Sequence, residues 1–110
     1  MKPVKSMVYS PIITETAEQT YIELLSFLID NYGVDTAKTF AEKSATIVDH
    51  ISKHPLMFPV SKDYYKHHRA IIDRYTSIYY TIKEIQKHVV IHCFWHNSRN
   101  PKYLKVFLTH

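Results

Sequence analysis

Arg69 and Arg74, then His96, Arg99 and Tyr103, form a trail through the second half of the chain whose residue types handle phosphate. Arginine presents a planar, permanently charged fork that pairs with phosphate oxygens in a fixed geometry. An imidazole titrates near ~6.5, so His96 is suited to moving a proton at neutral pH. Tyr103 adds a phenolic donor, and Lys62, Lys66, His67 and His68 would thicken the positive field around the first arginine. Each residue also has an ordinary structural reading. Arg69 and Arg74 can pair with Asp63 or Asp73 on a solvated strand, Arg99 can pin a turn by bonding backbone carbonyls, and His96 can cap the end of a sheet. Tyr64, Tyr65 and Tyr103 can stack a base or simply pack the rim of a core.

The charge is placed unevenly. Residues 1–59 carry five Lys/Arg against seven Asp/Glu, a balance of −2; residues 60–110 carry nine against three, a balance of +6. Six of the eight histidines also lie in the second part. Such a chain presents a basic face that attracts phosphate or an acidic protein segment.

Other chemistries fall away. A phosphate-cradling loop needs several glycines, and Gly33 is the only one of the 110 residues. Cys93 stands alone, which excludes an internal disulfide and a cysteine zinc cage. His50 and His54 are one helical turn apart, a spacing that can hold zinc, but no third ligand accompanies them. We therefore expect no metal and no cofactor. The opening MKPVKSMVYS has no apolar run of signal-peptide length, and no segment approaches the ~20 apolar residues of a membrane span. The expectation is a cytoplasmic protein with no membrane partner.

The elements that must position these side chains follow from periodicity. Lys2–Tyr9 reads as a short opening strand ended by Ser10-Pro11. Thr14 suits a helix N-cap, with Glu15 and Glu18 complementing the positive helix end. Ala17, Tyr21, Leu24, Leu25, Leu28 and Tyr32 recur at steps of three and four, one apolar stripe of an amphipathic helix. Gly33 closes it with a left-handed C-cap. Asp35 then caps a second helix, with the stripe Ala37, Phe40, Ala41, Ser44, Ile47, Val48 and Ile51. It stops at His54-Pro55 because the residue before proline avoids the helical region.

Pro55–Tyr65 reads as a loop. Three strands follow, at His67–Asp73, Ser77–Glu84 and Lys87–Trp95. Ile78, Tyr80 and Ile82 alternate with Tyr79, Thr81 and Lys83 in the two-residue period of a half-buried strand. Ile85-Gln86 makes a short hairpin connection, and Val89-Val90-Ile91 should be central. Cys93 is expected to share one strand face with Ile91 and Trp95, buried as a small hydrophobe. The order β-α-α-β-β-β predicts one α+β domain over residues 1–110. It has two layers, an antiparallel sheet of about four strands with a helical hairpin on one face.

This order and several local phrases resemble the RelE/ParE superfamily, toxins of type II toxin–antitoxin systems that include plasmid-stabilisation proteins. The phrases are Tyr9-Ser10-Pro11 before an amphipathic helix, the Asn31-Tyr32-Gly33 break, and His54-Pro55 followed by Phe58-Pro59. The last is Phe94-Trp95-x-x-x-Arg99-x-Pro101, which is similar to the last strand and exit turn of the ParE-like branch. The resemblance spans nearly the whole chain.

It implies a growth-inhibiting toxin held inactive by a cognate antitoxin. RelE-like members cleave mRNA on the ribosome, and ParE-like members inhibit DNA gyrase without a nuclease site. On the first reading Arg69, Arg74, His96, Arg99 and Tyr103 are catalytic, supplying a base for the 2′-hydroxyl, a donor for the leaving oxygen and cations around the phosphate. Lys62, Lys66, His67 and His68 would hold the nucleic acid. RelE-like enzymes place a histidine or tyrosine near the C-terminus, whereas here the chain runs on well past His96. A third reading is a basic RNA-binding module without toxicity. The antitoxin is expected on the acidic helical half or along an exposed sheet edge, and such an edge also allows a homodimer of the isolated chain.

Overall fold

Thr14 is where the first strand becomes the first helix, and its side chain does the joining. The hydroxyl accepts the Ala17 N–H at 3.0 Å, capping the helix, and lies 3.0 Å from the Ile91 carbonyl of the last strand, to which it donates. The computed structural model describes residues 8–64 and 66–108. Their order is β1 (Ser10–Ile13), α1 (Glu15–Tyr32), α2 (Val34–Lys53), β2 (His68–Ile71), β3 (Thr76–Lys83), β4 (His88–His96) and α3 (Pro101–Leu108). The expected strand from Lys2 falls largely outside the described residues, and Ser10-Pro11, expected to end it, lies within β1 instead.

Ala17, Leu24, Phe40 and Ile51 bury the facing stripes of the hairpin α1–α2 against Ile78, Tyr80, Val89, Ile91 and Phe94 of the sheet. Tyr32, expected in the stripe, is exposed. Between the helices Gly33 adopts φ +95° with an extended ψ of 168°, a positive φ as expected but not the compact left-handed conformation. Its N–H still closes α1 on the Ile29 carbonyl at 3.0 Å. Asp35 does not cap α2: the N-cap is Gly33, without a side-chain bond, and Asp35 sits inside the first turn. Its carboxylate acts there through charge at the positive helix end.

The sheet order is β1-β4-β3-β2, and β4 is central. β2–β3 and β3–β4 are antiparallel, as expected, but β1 runs parallel to β4, so the sheet is mixed. The alternation within a strand sets its two faces and says nothing about its neighbour or direction. The hairpin between β3 and β4 turns through Lys87 at φ +58°, without the usual glycine.

A bulge decides which residues of β4 face where. Tyr79 pairs with Cys93 but Tyr80 with Ile91, leaving His92 as an extra residue. Beyond it the two-residue alternation is out of phase. Ile91 therefore faces the helical hairpin, while Cys93 and Trp95 face the other way, which corrects the expectation that all three share a face. Irregular pairing leaves Phe94 N–H to a side chain: it donates to the Thr20 hydroxyl at 3.0 Å, and that hydroxyl donates back to Thr16 O at 2.8 Å. Thr20→Val keeps the shape and strips Phe94 of its acceptor, so it should lower stability by about 1–3 kcal/mol. Denaturant midpoints check this, and an equal loss in Thr20→Ser would assign the effect to the methyl group.

The chain after β4 forms a helix that the strand-and-hairpin reading omits. Pro101 opens α3, where a missing N–H leaves nothing unpaired, and the Asn100 carboxamide accepts the Lys102 N–H at 3.0 Å. Leu104 and Leu108 pack on Tyr79, Cys93 and Trp95, adding a third layer on the outer face of the sheet. No helix among the described residues is long and apolar enough to cross a membrane.

Candidate functional site

The outer face, opposite the helical hairpin, collects polar groups on a frame of tyrosines. Arg69 projects from β2, and its Nε donates to Ser77 Oγ at 3.1 Å, which leaves the terminal nitrogens of the fork uncommitted to that bond. Tyr79 is its cross-strand neighbour, with Tyr64 edge-on at a ring distance of 6.4 Å. His67 and His92 meet edge-on at 4.9 Å, and His92 Nε2 lies 2.8 Å from Thr81 Oγ1. Burial lowers the pKa of His67, with Lys66 adding to it; burial drives His92 down to about 4, with His67 and Lys83 adding. Both imidazoles are neutral at pH 7.

Arg99 lies where β4 leaves the sheet. Its guanidinium sits over the rings of Trp95, Tyr103 and Phe107 at 5.5–5.9 Å and reaches Glu23 of α1 at 3.2 Å. It thus bonds a carboxylate, not the carbonyls of its turn, and it ties α3 to α1. Cys93 lies beneath α3, its thiol pushed up to about 12 by burial, so it stays protonated and inert.

His96 and Arg74 are elsewhere. Strand alternation turns His96 to the hairpin side, where it lines a cleft of about 910 Å³ together with Arg74, Tyr75, Lys43 and Tyr32. Its ring lies nearly parallel to Tyr75, at 9° and 6.1 Å, and edge-on to Phe27 at 5.5 Å. Arg74 stacks over Tyr75 at 5.7 Å. Among the described residues neither Arg69 nor Arg74 pairs with Asp63 or Asp73.

This arrangement of elements has counterparts of known structure. A chain of the chromosomal ParDE TA system from P. aeruginosa superposes with a TM-score of 0.69 at 12% identity, over 82% of this chain and 97% of that one. A chain of the toxin–antitoxin complex RelBE2 from Mycobacterium tuberculosis superposes with a TM-score of 0.54 at 18% identity, over 84% of this chain and 94% of that one. This chain shares its fold with both. At these identities the likeness concerns the fold, and no family model or curated protein matches the sequence.

Within this fold the nine candidate residues divide among four places. Arg69 and His67 share the outer face, and Arg99 and Tyr103 stand at its rim beside α3. Arg74 and His96 line the cleft on the hairpin side. His68 turns inward instead: it stacks on the core residue Tyr80 at 5.1 Å, and its Nδ1 donates to the Phe58 carbonyl at 2.7 Å. Lys62 and Lys66 are exposed around the loop before β2, and Tyr65 lies outside the described residues. His92 is the residue that the sequence reading missed. Its signal was a polar side chain inside an otherwise apolar strand, Val89 to Trp95. Among the described residues no three His, Cys, Asp or Glu gather as a metal-holding group.

The histidine pair makes stability depend on pH. Unfolded histidines titrate near ~6.5, whereas folded His92 resists protonation until about 4. Between those values the unfolded chain binds more protons, so stability is complete above the upper one and falls as pH drops towards the lower. We expect a loss on the order of 1–2 kcal/mol, moderated by solvent screening of the half-buried ring. Urea midpoints at pH 7 and 4.5 measure it. His92→Gln should flatten the dependence, and an unaltered slope in that variant would remove the pair as its source.

Proposed function

We propose that the chain is the toxin of a toxin–antitoxin pair and acts on RNA through the outer face of its sheet. The first part is supported by a fold shared with chains of the ParDE and RelBE2 assemblies. The observation that carries the second is Arg69 on the same face as two unprotonated imidazoles, His67 and His92, with Arg99 and Tyr103 together at the rim of that face. Metal-free cleavage of RNA needs cations around the crowded phosphate and groups that move protons at the attacking and leaving oxygens. Arg69 and Arg99 suit the first task and Tyr103 the second. His96 faces away and takes no part. Its displacement favours a second reading, a non-catalytic block of DNA gyrase, for which no acid–base set is needed. Either target puts the chain in the cytoplasm.

Inducing the chain in cells and mapping mRNA 5′ ends tests the RNA reading. Arrested translation with newly cut mRNA is expected, and intact mRNA during arrest would overturn it. Loss of supercoiling in a reconstituted gyrase reaction would then select the second reading. Harmless expression without any partner would leave a basic RNA-binding module.

The antitoxin has little edge to add a strand to. Ser10 donates to the carbonyl of Lys87, just before β4, and Thr14 to that of Ile91 within it, so residues 11 and 13 face away from the sheet, and Pro11 has no N–H. Tyr9 N–H is taken by Ser52 O at 2.8 Å. At the other edge, β2 is covered by its preceding loop: Arg69 N–H reaches Pro59 O at 2.9 Å, and Ser61 N–H reaches His67 O at 2.8 Å. Of the two expected docking surfaces, this favours the helical one. There Tyr9, Ile13, Tyr21, Val48 and Phe94 line an apolar groove of about 620 Å³ between β1 and the helices. The same closure disfavours a homodimer built by edge pairing.

A further inference from the structure

The cleft at the end of the sheet has the make-up of a binding site separate from the outer face, and its floor is built before any ligand arrives. The turn that carries Arg74 and Tyr75 is exposed, yet hydrogen bonds fix it from two sides. Asp73 Oδ1 accepts Tyr75 N–H, Thr76 N–H and the Thr76 hydroxyl at 2.8, 2.9 and 2.8 Å. Asn97 ties the same turn to the exit of β4, donating its backbone N–H to Tyr75 O at 2.8 Å and its carboxamide to Arg74 O at 3.1 Å. His96 is fixed as well. The Ser98 amide can only donate, and it does so to His96 Nδ1 at 3.1 Å, a geometry that places the ring's proton on Nε2. The side chain therefore offers a donor of defined identity.

We propose that this cleft binds a nucleoside monophosphate. Its volume of about 910 Å³ lies in the range of small-molecule sites, roughly 300–1,000 Å³. The exposed aromatic surfaces of Tyr32 and Tyr75 suit a flat base. Lys43 and Arg74 offer two positive charges to a terminal phosphate carrying about −1.5 to −2 at neutral pH. Of the two carboxylates lining the cleft, Asp73 is engaged by its own turn, and Asp35 is left to accept from the ribose hydroxyls. The nucleotide can be free in solution or be the terminal residue of an RNA strand; the chemistry recognised is the same.

Calorimetric titration of the full chain with adenosine monophosphate tests the proposal. Saturable binding is expected, weakened at least about tenfold in Arg74→Ala because a charge-assisted contact is lost. Adenosine and ribose 5-phosphate, each lacking one half of the ligand, should both bind more weakly than the nucleotide. Lys38→Ala, an exposed lysine of α2 outside the cleft, should bind like the wild type. Arg74 is exposed, so a thermal melt should show its variant folded. A short oligoribonucleotide displaced by adenosine monophosphate would identify a strand terminus as a source, and nucleotide binding without it would identify the free ligand. No saturable binding, or equal binding in Arg74→Ala and wild type, overturns the proposal. Growth arrest on induction is a separate readout, so failure here leaves the toxin reading to its own test.

Discussion

Arg69→Ala is expected to abolish growth arrest and to slow RNA cleavage by roughly 10²–10³, the usual cost of removing one preorganised stabiliser of developing charge. The folded state should barely notice. The side chain is half-buried and its one hydrogen bond from Nε goes to Ser77 Oγ at 3.1 Å, so the expected loss of stability is about 1 kcal/mol. Arg69→Lys keeps the charge without the planar fork and should fall between wild type and alanine. Colony growth on induction and the rate of mRNA cleavage in a ribosome-containing extract are the measurements. Unchanged arrest in a folded Arg69→Ala protein would remove the outer face from the mechanism. Arg99 is a less clean probe, since it also joins α3 to Glu23 of α1.

Tyr80→Ala should have the largest effect on stability, about 3–5 kcal/mol for truncating a large buried aromatic ring. Against a total of roughly 5–15 kcal/mol for a domain this is a large share. The ring is fully buried, stacked by His68 at 5.1 Å and met edge-on by Phe58 at 6.5 Å. Its hydroxyl donates to the Pro55 carbonyl, which pins the start of the loop between α2 and β2. Desolvation raises its pKa far above the ordinary phenol value, so it remains a donor throughout the range where the protein is folded. Tyr80→Phe isolates the hydrogen bond by leaving the Pro55 carbonyl without its partner, at an expected cost of about 1–2 kcal/mol. Chemical denaturation of the two variants reads both numbers. A Phe variant as stable as wild type would mean that water serves Pro55 equally well.

Both predictions depend on which side of the sheet a residue occupies, and this was legible in the sequence only in part. On β3 the alternation of Ile78, Tyr80 and Ile82 with Tyr79 and Thr81 corresponds to the observed faces, with Ile78 and Tyr80 in the core beneath the helices. On β4 the same rule works as far as Ile91 and then fails. One extra residue, His92, moves Cys93 and Trp95 to the outer face; it is the one polar side chain in an otherwise apolar run, and polarity alone does not mark a bulge. The missed helix α3 is different. Its Asn-Pro start and the pairs Tyr103-Leu104 and Phe107-Leu108, one turn apart, were present in the sequence. Periodicity assigns that segment no element, because eight residues are fewer than the window over which a helical repeat can be recognised.

Residue order alone determined the two amphipathic helices, their boundaries at Thr14, Gly33 and His54, and the three later strands. Each of these follows from side-chain periodicity and from backbone restrictions within a few neighbours. It also determined that cations would accumulate in the second half. What only tertiary structure decided was where they point. Arg69 lies on the outer face, Arg99 bridges two helices, and Arg74 and His96 turn into a cleft on the other side. Those directions depend on strand neighbours, on a bulge and on the parallel pairing of β1 with β4, all of them contacts between residues far apart in the chain. Local pattern can set which face of an element is buried, but it carries no information about which distant element will cover it.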